Sequence, residues 1–217
     1  MAPLYMTPPS TGPIRECIRS GGLGMIATPA QGNRIESGYW WCADNGVFGG
    51  AYPGDEAYLR WLASLRRHAD RCLFVVAPDV VGDHAGSWSR SRDLLPVIRS
   101  LGFPAAFVAQ DGAEREHSAW IWEEFDCLFL GGSTEWKLGR EAAQIARAAS
   151  DMGKWVHMGR VNSARRYRYA ATECWCDSVD GTYLTYGPDR NLPTVLDWAE
   201  QVDTMQECLF GTVALAC

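Results

Sequence analysis

Three aspartates in this chain, Asp44, Asp79 and Asp180, each lie at or just after the end of a short apolar run. Carboxylates placed that way can do chemistry at a sugar carbon. Breaking an N-glycosidic bond passes through a sugar with oxocarbenium character. One carboxylate beneath the anomeric carbon stabilises that charge or bonds to it, and a second serves as general acid or base. A third can accept hydrogen bonds from the exocyclic amine of a base. Gln110 offers a base both a donor and an acceptor. Gly131 and Gly132 would bring backbone N–H groups close to a ligand, because no side chain intervenes. An aspartate after a strand also serves as a helix N-cap or turn residue. The argument therefore rests on the joint arrangement rather than on any one position.

The elements that must position these residues alternate. Short apolar runs at Leu23–Ala27, Tyr39–Cys42, Cys72–Ala77, Ala105–Ala109, Cys127–Leu130, Trp155–Met158 and Ser178–Leu184 read as strands. Helix-like stretches lie between and after them, at Asp55–His68, Ser87–Leu101, Ser118–Glu124, Leu138–Met152, Ser163–Thr172 and Pro193–Glu207. Strands spaced by helices predict an α/β fold with a parallel sheet. The polar and glycine residues gather at the carboxyl ends of consecutive strands, which converge on one face of a barrel. The expectation is a TIM-type (β/α)8 barrel covering residues 1–217 as one domain. It is trimmed, because a full barrel takes about 250 residues. Residues 1–20, Pro-rich at their start, read as an N-terminal extension. A doubly wound open sheet is the alternative fold.

Composition narrows the function. Hydrophobic residues at 47% and charged residues at 21% suit a globular domain. No apolar run reaches the 18 or more residues of a membrane span, and the start lacks the pattern of a secretory signal. A cytoplasmic protein without a membrane partner is expected. Nucleotide cofactors lack their G-x-G-x-x-G or G-x4-G-K-[ST] loops. No C-x2-C pair exists, so neither metal nor cofactor is expected. Cys174 and Cys176 could bind a metal only with distant partners. The remaining cysteines, Cys217 included, read as small hydrophobes. The net charge of −6 argues against a nucleic-acid partner. A local cluster answers it. Arg160, Arg165, Arg166 and Arg168 interleave with Tyr167 and Tyr169, and Lys137 lies nearby in sequence; together they could hold phosphates. A solvated helix face is the other reading of that cluster.

At these residues the chain resembles the tRNA-guanine transglycosylase superfamily (the queuine tRNA-ribosyltransferases), and within it the DNA-acting deazapurine-modification branch. The matches run in order from about residue 39 to residue 187. Asp44 in ADNG is similar to the family's general acid/base. Asp79 in VVAPD and Gln110 in AQDG are similar to its base-reading pair. Gly131 and Gly132 in FLGGSTE match its glycine loop, and Met158 and Gly159 in HMGRVN its base pocket. In CDSVDGT the resemblance makes Asp180 the nucleophile and Asp177 a structural companion. The C-x-C-x2-C…H zinc segment of the tRNA enzymes is not matched, which favours DNA over tRNA.

The resemblance implies that Asp180 attacks C1′ and expels a base, and that a free deazapurine then displaces Asp180. Hydrolysis by the same pocket, as in a DNA glycosylase removing a modified base in anti-phage defence, is the alternative. A non-catalytic nucleic-acid-binding barrel, and a barrel enzyme for small sugars or phosphates, also remain open. Base chemistry on a duplex needs a flipped nucleotide, for which Trp40, Trp41, Trp88, Trp136 and Tyr167 are wedge or stacking candidates.

Overall fold

The computed structural model describes residues 1–115 and 122–211. Eight parallel strands close into a barrel in chain order: β1 (Leu4–Thr7), β2 (Gly24–Ala27), β3 (Trp41–Ala43), β4 (Cys72–Val76), β5 (Ala105–Ala109), β6 (Cys127–Leu130), β7 (Trp155–Met158) and β8 (Ser178–Asp180). The helices are α1 (Gly12–Ser20), α2 (Asp55–Ser64), α3 (His84–Ser91), α4 (Leu95–Ser100), the single turn α5 (Thr134–Lys137), α6 (Arg140–Asp151), α7 (Ala164–Thr172) and α8 (Pro188–Gly211). The TIM-type barrel is therefore present with all eight strands, and it is small because the strands are only 3 to 5 residues long.

The first twenty residues are not an extension. Leu4–Thr7 is the strand that closes the ring, pairing with Gly24–Met25 on one side and Ser178–Asp180 on the other. Thr11 caps α1, its side chain accepting from the Ile14 N–H, and Pro13 fits the first turn, where no N–H partner is needed. The last predicted strand is shorter than Ser178–Leu184. It stops at Asp180, and the next residue passes so close to Val161 that a Cβ on Gly181 would lie 2.4 Å from the Val161 carbonyl oxygen. The predicted helix Ser87–Leu101 divides into α3 and α4, with Pro96 in the first turn of the second. Of the predicted helix Ser118–Glu124, residues 122–124 form a 3-10 turn and the rest lies outside the described residues, as does Cys217.

Alternation along each strand sorts its side chains. Met6, Ile26, Cys42, Phe74, Val76, Ala106, Val108 and Cys127 fill the lumen. Tyr5, Met25, Trp41, Val75, Phe107, Leu128, Val156 and Val179 face the helical layer. Removing a filler such as Phe74 costs about 3–5 kcal/mol. Cys174 and Cys176 are buried in the outer layer, and among the described residues no group of three metal-ligating side chains forms. No helix among the described residues is long and apolar enough to cross a membrane.

Candidate active site

At the carboxyl ends of the strands the lumen opens into a cavity of about 420 Å³. Asp44, Asp79, Gln110, Gly131, Gly159 and Asp180 all line it. Asp44, Gln110, Gly131, Gly159 and Asp180 each stand two residues after a lumen-facing position of their own strand, so their side chains or glycine faces meet the cavity, whereas Asp79 enters from the loop after β4.

The β3–β5 wall is a hydrogen-bonded chain. Asp44 Oδ1 accepts from the Gly46 N–H at 3.1 Å. Asn45 donates to the Ala77 carbonyl at 2.9 Å and to Asp79 Oδ1 at 3.0 Å. Gln110 donates to Asp79 Oδ2 at 2.7 Å and accepts from the Gly82 N–H at 3.1 Å. Burial pushes the Asp44 carboxyl up to about 6, against the pull of the Gly46 N–H and with help from the charges of Asp180 and Asp79. Burial also raises Asp79, in spite of its two amide donors.

The β7–β8 wall is different. Asp180 Oδ2 lies 2.9 Å from His157 Nε2, and Oδ1 accepts from the Arg160 N–H at 3.1 Å. Burial alone would raise Asp180. The His157 hydrogen bond and charge, the Arg160 N–H and the charge on Lys137 outweigh it and hold its carboxyl below the usual range. Gly159 keeps the space open, since a Cβ there would lie 2.8 Å from the Phe129 ring and 3.5 Å from Asp180 Oδ2. Asp177, three residues before Asp180, sits at the other end of β8. It accepts from the Val156 N–H at 2.7 Å, a structural role.

Several expectations need correction. Met158 does not line the base pocket. It packs in the outer layer, because Trp155, His157 and Gly159 hold the inward parity of that strand. The N–H groups of Gly131 and Gly132 do not face a ligand, since both donate to the Ala109 carbonyl. Their carbonyls accept from the Arg160 guanidinium instead, and Gly132 is packed under Trp136. Arg160 thus seals the β6 loop from inside the cavity, with its guanidinium 4.6 Å over the Phe48 ring. Lys137 is fully buried and donates to the Gly159 carbonyl, so it cannot meet a phosphate backbone. Burial, with the nearby Arg160 charge, pushes it down to about 7. Arg166 reaches back to the Arg160 carbonyl at 3.2 Å, and only Arg165 and Arg168 of the predicted cluster are exposed.

Of the wedge candidates, Trp41 and Tyr167 are core residues, and Trp40 lies at the opposite end of the barrel. The aromatic at the mouth is Phe48, 63% exposed in the loop after Asp44. Sequence reasoning also passed over His157 and Asn45. The residue pair Asp44-Asn45 carried a signal for the second, as an Asx pair at a strand end.

Fold and site together define an α/β TIM-type barrel with ionisable groups gathered at the carboxyl ends of its strands. Among solved structures the chain is similar to a mandelate racemase/muconate lactonizing protein from Herpetosiphon aurantiacus. The identity is 12%, over 84% of this chain, with a TM-score of 0.50. This chain covers 55% of that one, just over half its length. A tryptophan synthase α2β2 complex structure from Pyrococcus furiosus matches at 14% identity, over 91% of this chain and 70% of that one, with a TM-score of 0.43. No family model and no curated protein matches the sequence.

Proposed function

We propose that this barrel breaks the bond between a base and its sugar in DNA, with Asp180 as nucleophile and Asp44 as general acid and base. One observation carries the reading. Two carboxylates in one cavity are driven to opposite protonation states, Asp180 ionised and Asp44 holding its proton to about 6. Pairs separated in that way mark an acid and a nucleophile. Asp180 attacks C1′, and the C1′–N bond breaks as the Asp44 proton passes to the departing base. The sugar is left as an ester on Asp180. A free deazapurine then attacks C1′ and returns its N–H proton to Asp44, and the Asp180 ester opens.

Asp79, held by Asn45 and Gln110, presents its remaining lone pairs to the amine of a base. Gln110 supports Asp79 first and meets the base second, because its amide already bonds on both sides. Outside the cavity, Arg165 and Arg168 offer the exposed positive charge that a DNA backbone requires. The likeness to the DNA-acting transglycosylase branch supports the same reading.

The test is incubation of the purified protein with plain and base-modified DNA, with and without added deazapurine, followed by mass spectrometry of released bases. Guanine release with uptake of deazapurine supports base exchange. Free base with alkali-labile abasic sites and no added base makes the protein a hydrolytic glycosylase. No released base from any DNA, with binding intact, overturns both and leaves a non-catalytic binding barrel.

A further inference from the structure

Below Asp180 a line of side chains runs through the lumen that no step above uses. The Trp155 indole N–H donates to Ser178 Oγ at 2.8 Å. Ser178 Oγ lies 2.8 Å from His157 Nδ1, and His157 Nε2 lies 2.9 Å from Asp180 Oδ2. Strand parity builds the line: Trp155 and His157 are two residues apart on β7, and Ser178 and Asp180 are two apart on β8. His157 is fully buried, its ring 4.9 Å from Phe74 and 4.6 Å from Phe129.

Counting protons fixes the imidazole nitrogen that faces Asp180. An indole only donates, so Ser178 Oγ accepts from Trp155 and keeps its own proton to give. If Nδ1 is bare, the Ser178 hydroxyl donates to it, and Nε2–H donates to Asp180. Every group is then satisfied. If the proton sat on Nδ1 alone, the Nε2 lone pair would face a carboxylate lone pair at 2.9 Å. If both nitrogens are protonated, the two lone pairs of Ser178 Oγ accept from Trp155 and from Nδ1–H, and Nε2–H still donates to Asp180.

We propose that His157 is the positioning residue of Asp180, held by Ser178 and Trp155 so that its Nε2–H donates to Asp180. The proposal rests on the reading of Asp180 as nucleophile. Its value to the reaction is that both Asp180 oxygens are aimed by N–H donors, the His157 imidazole and the Arg160 N–H.

Nitrogen-15 NMR of histidine-labelled protein at pH 7 reads the tautomer directly, with the His157 signals assigned as those missing from His157→Gln. A protonated Nε2 is expected. A bare Nε2, with the proton on Nδ1 alone, overturns the proposal. In turnover, His157→Phe keeps the ring packing and should lower kcat about a hundredfold, the scale of a misplaced reacting group, with KM little changed. His157→Gln carries an amide N–H close to the place of Nε2 and should recover kcat to within about tenfold of the wild type. Gln as poor as Phe, or Phe as good as wild type, overturns it. If Nε2 is protonated but wild-type protein releases no base from any DNA, the glycosidic reading fails and the positioning of Asp180 stands.

Discussion

The two walls of the cavity hold the same side chain in opposite states. On the β3–β5 wall, Asp44 and Asp79 are buried beside amides and backbone N–H groups, and both carboxyls are pushed up. On the β7–β8 wall, Asp180 is also enclosed, yet its carboxyl is pulled down. Burial acts the same way on both sides. The difference lies in what the neighbouring strand delivers: Asn45 and Gln110 on one wall, a histidine, a backbone N–H and the field of a buried lysine on the other. An aspartate at a strand end is thus made acid or nucleophile by its partners, and substitutions that erase the difference between the walls should erase turnover.

The largest effect should come from Asp180→Asn. It removes the charge from its wall, and base release in single-turnover assays should fall by at least about a thousandfold while DNA binding survives. Retained turnover would remove Asp180 as the nucleophile and collapse the contrast.

Asp44→Asn should cost about 10²–10⁴-fold in rate, the usual worth of a positioned general acid or base. It should also show the wall's second signature. The folded Asp44 carboxyl is raised from 3.8 to about 6, so the stability it contributes is full below pH 3.8 and lost as pH rises through 6. Asparagine escapes that loss. At pH 8 the variant should resist urea better than wild type by about 3 kcal/mol, and near pH 3.5 the two should melt alike. Wild-type turnover should fall above pH 6 as Asp44 loses its proton. A flat profile in that range would assign the acid elsewhere.

Lys137→Met tests the other wall more gently. Its charge helps hold Asp180 down, and with the ammonium lowered to about 7 that help is present below pH 7 and fades above it. Without that charge the Asp180 carboxyl should rise, so the variant should lose rate on the acid side, at about pH 4, and little at pH 8. A loss that is equal at both pH values would make Lys137 a structural donor to Gly159 only.

How much of this was legible in the sequence follows from what each residue does locally. Asp44, Asp79 and Asp180 could be found because a polar residue ending an apolar run stands out. His157 could not, since a histidine inside a four-residue buried strand looks like core until its neighbour on β8 is known. Lys137 looked like an exposed cation because its burial depends on the Gly159 carbonyl, far away in the chain. Met158 was misassigned because a short all-buried strand hides its parity, and one position of slip exchanges lumen for outer layer. The strand Leu4–Thr7 was hidden by prolines on both sides, and only its pairing with β8 makes it part of the ring.

The smallest effect should lie outside the cavity, where the cation-rich wall continues onto α7. Arg165 and Arg168 are exposed and three residues apart, a spacing that puts them on one helix face. They follow the β7 strand end, on the Asp180 side of the mouth. Arg166 is different, because it holds the Arg160 carbonyl and so supports the cavity rather than a phosphate. Replacing Arg165 and Arg168 together with serine should weaken DNA binding about fivefold near 0.1 M salt and reduce the slope of log affinity against log salt by about 2, with kcat unchanged. Arg166→Ser should do the reverse, lowering kcat while leaving the salt slope alone. If the double variant binds as wild type at every salt concentration, the DNA backbone runs over some other face. The asymmetry between the walls would then be a property of the chemistry alone and not of how the substrate is held.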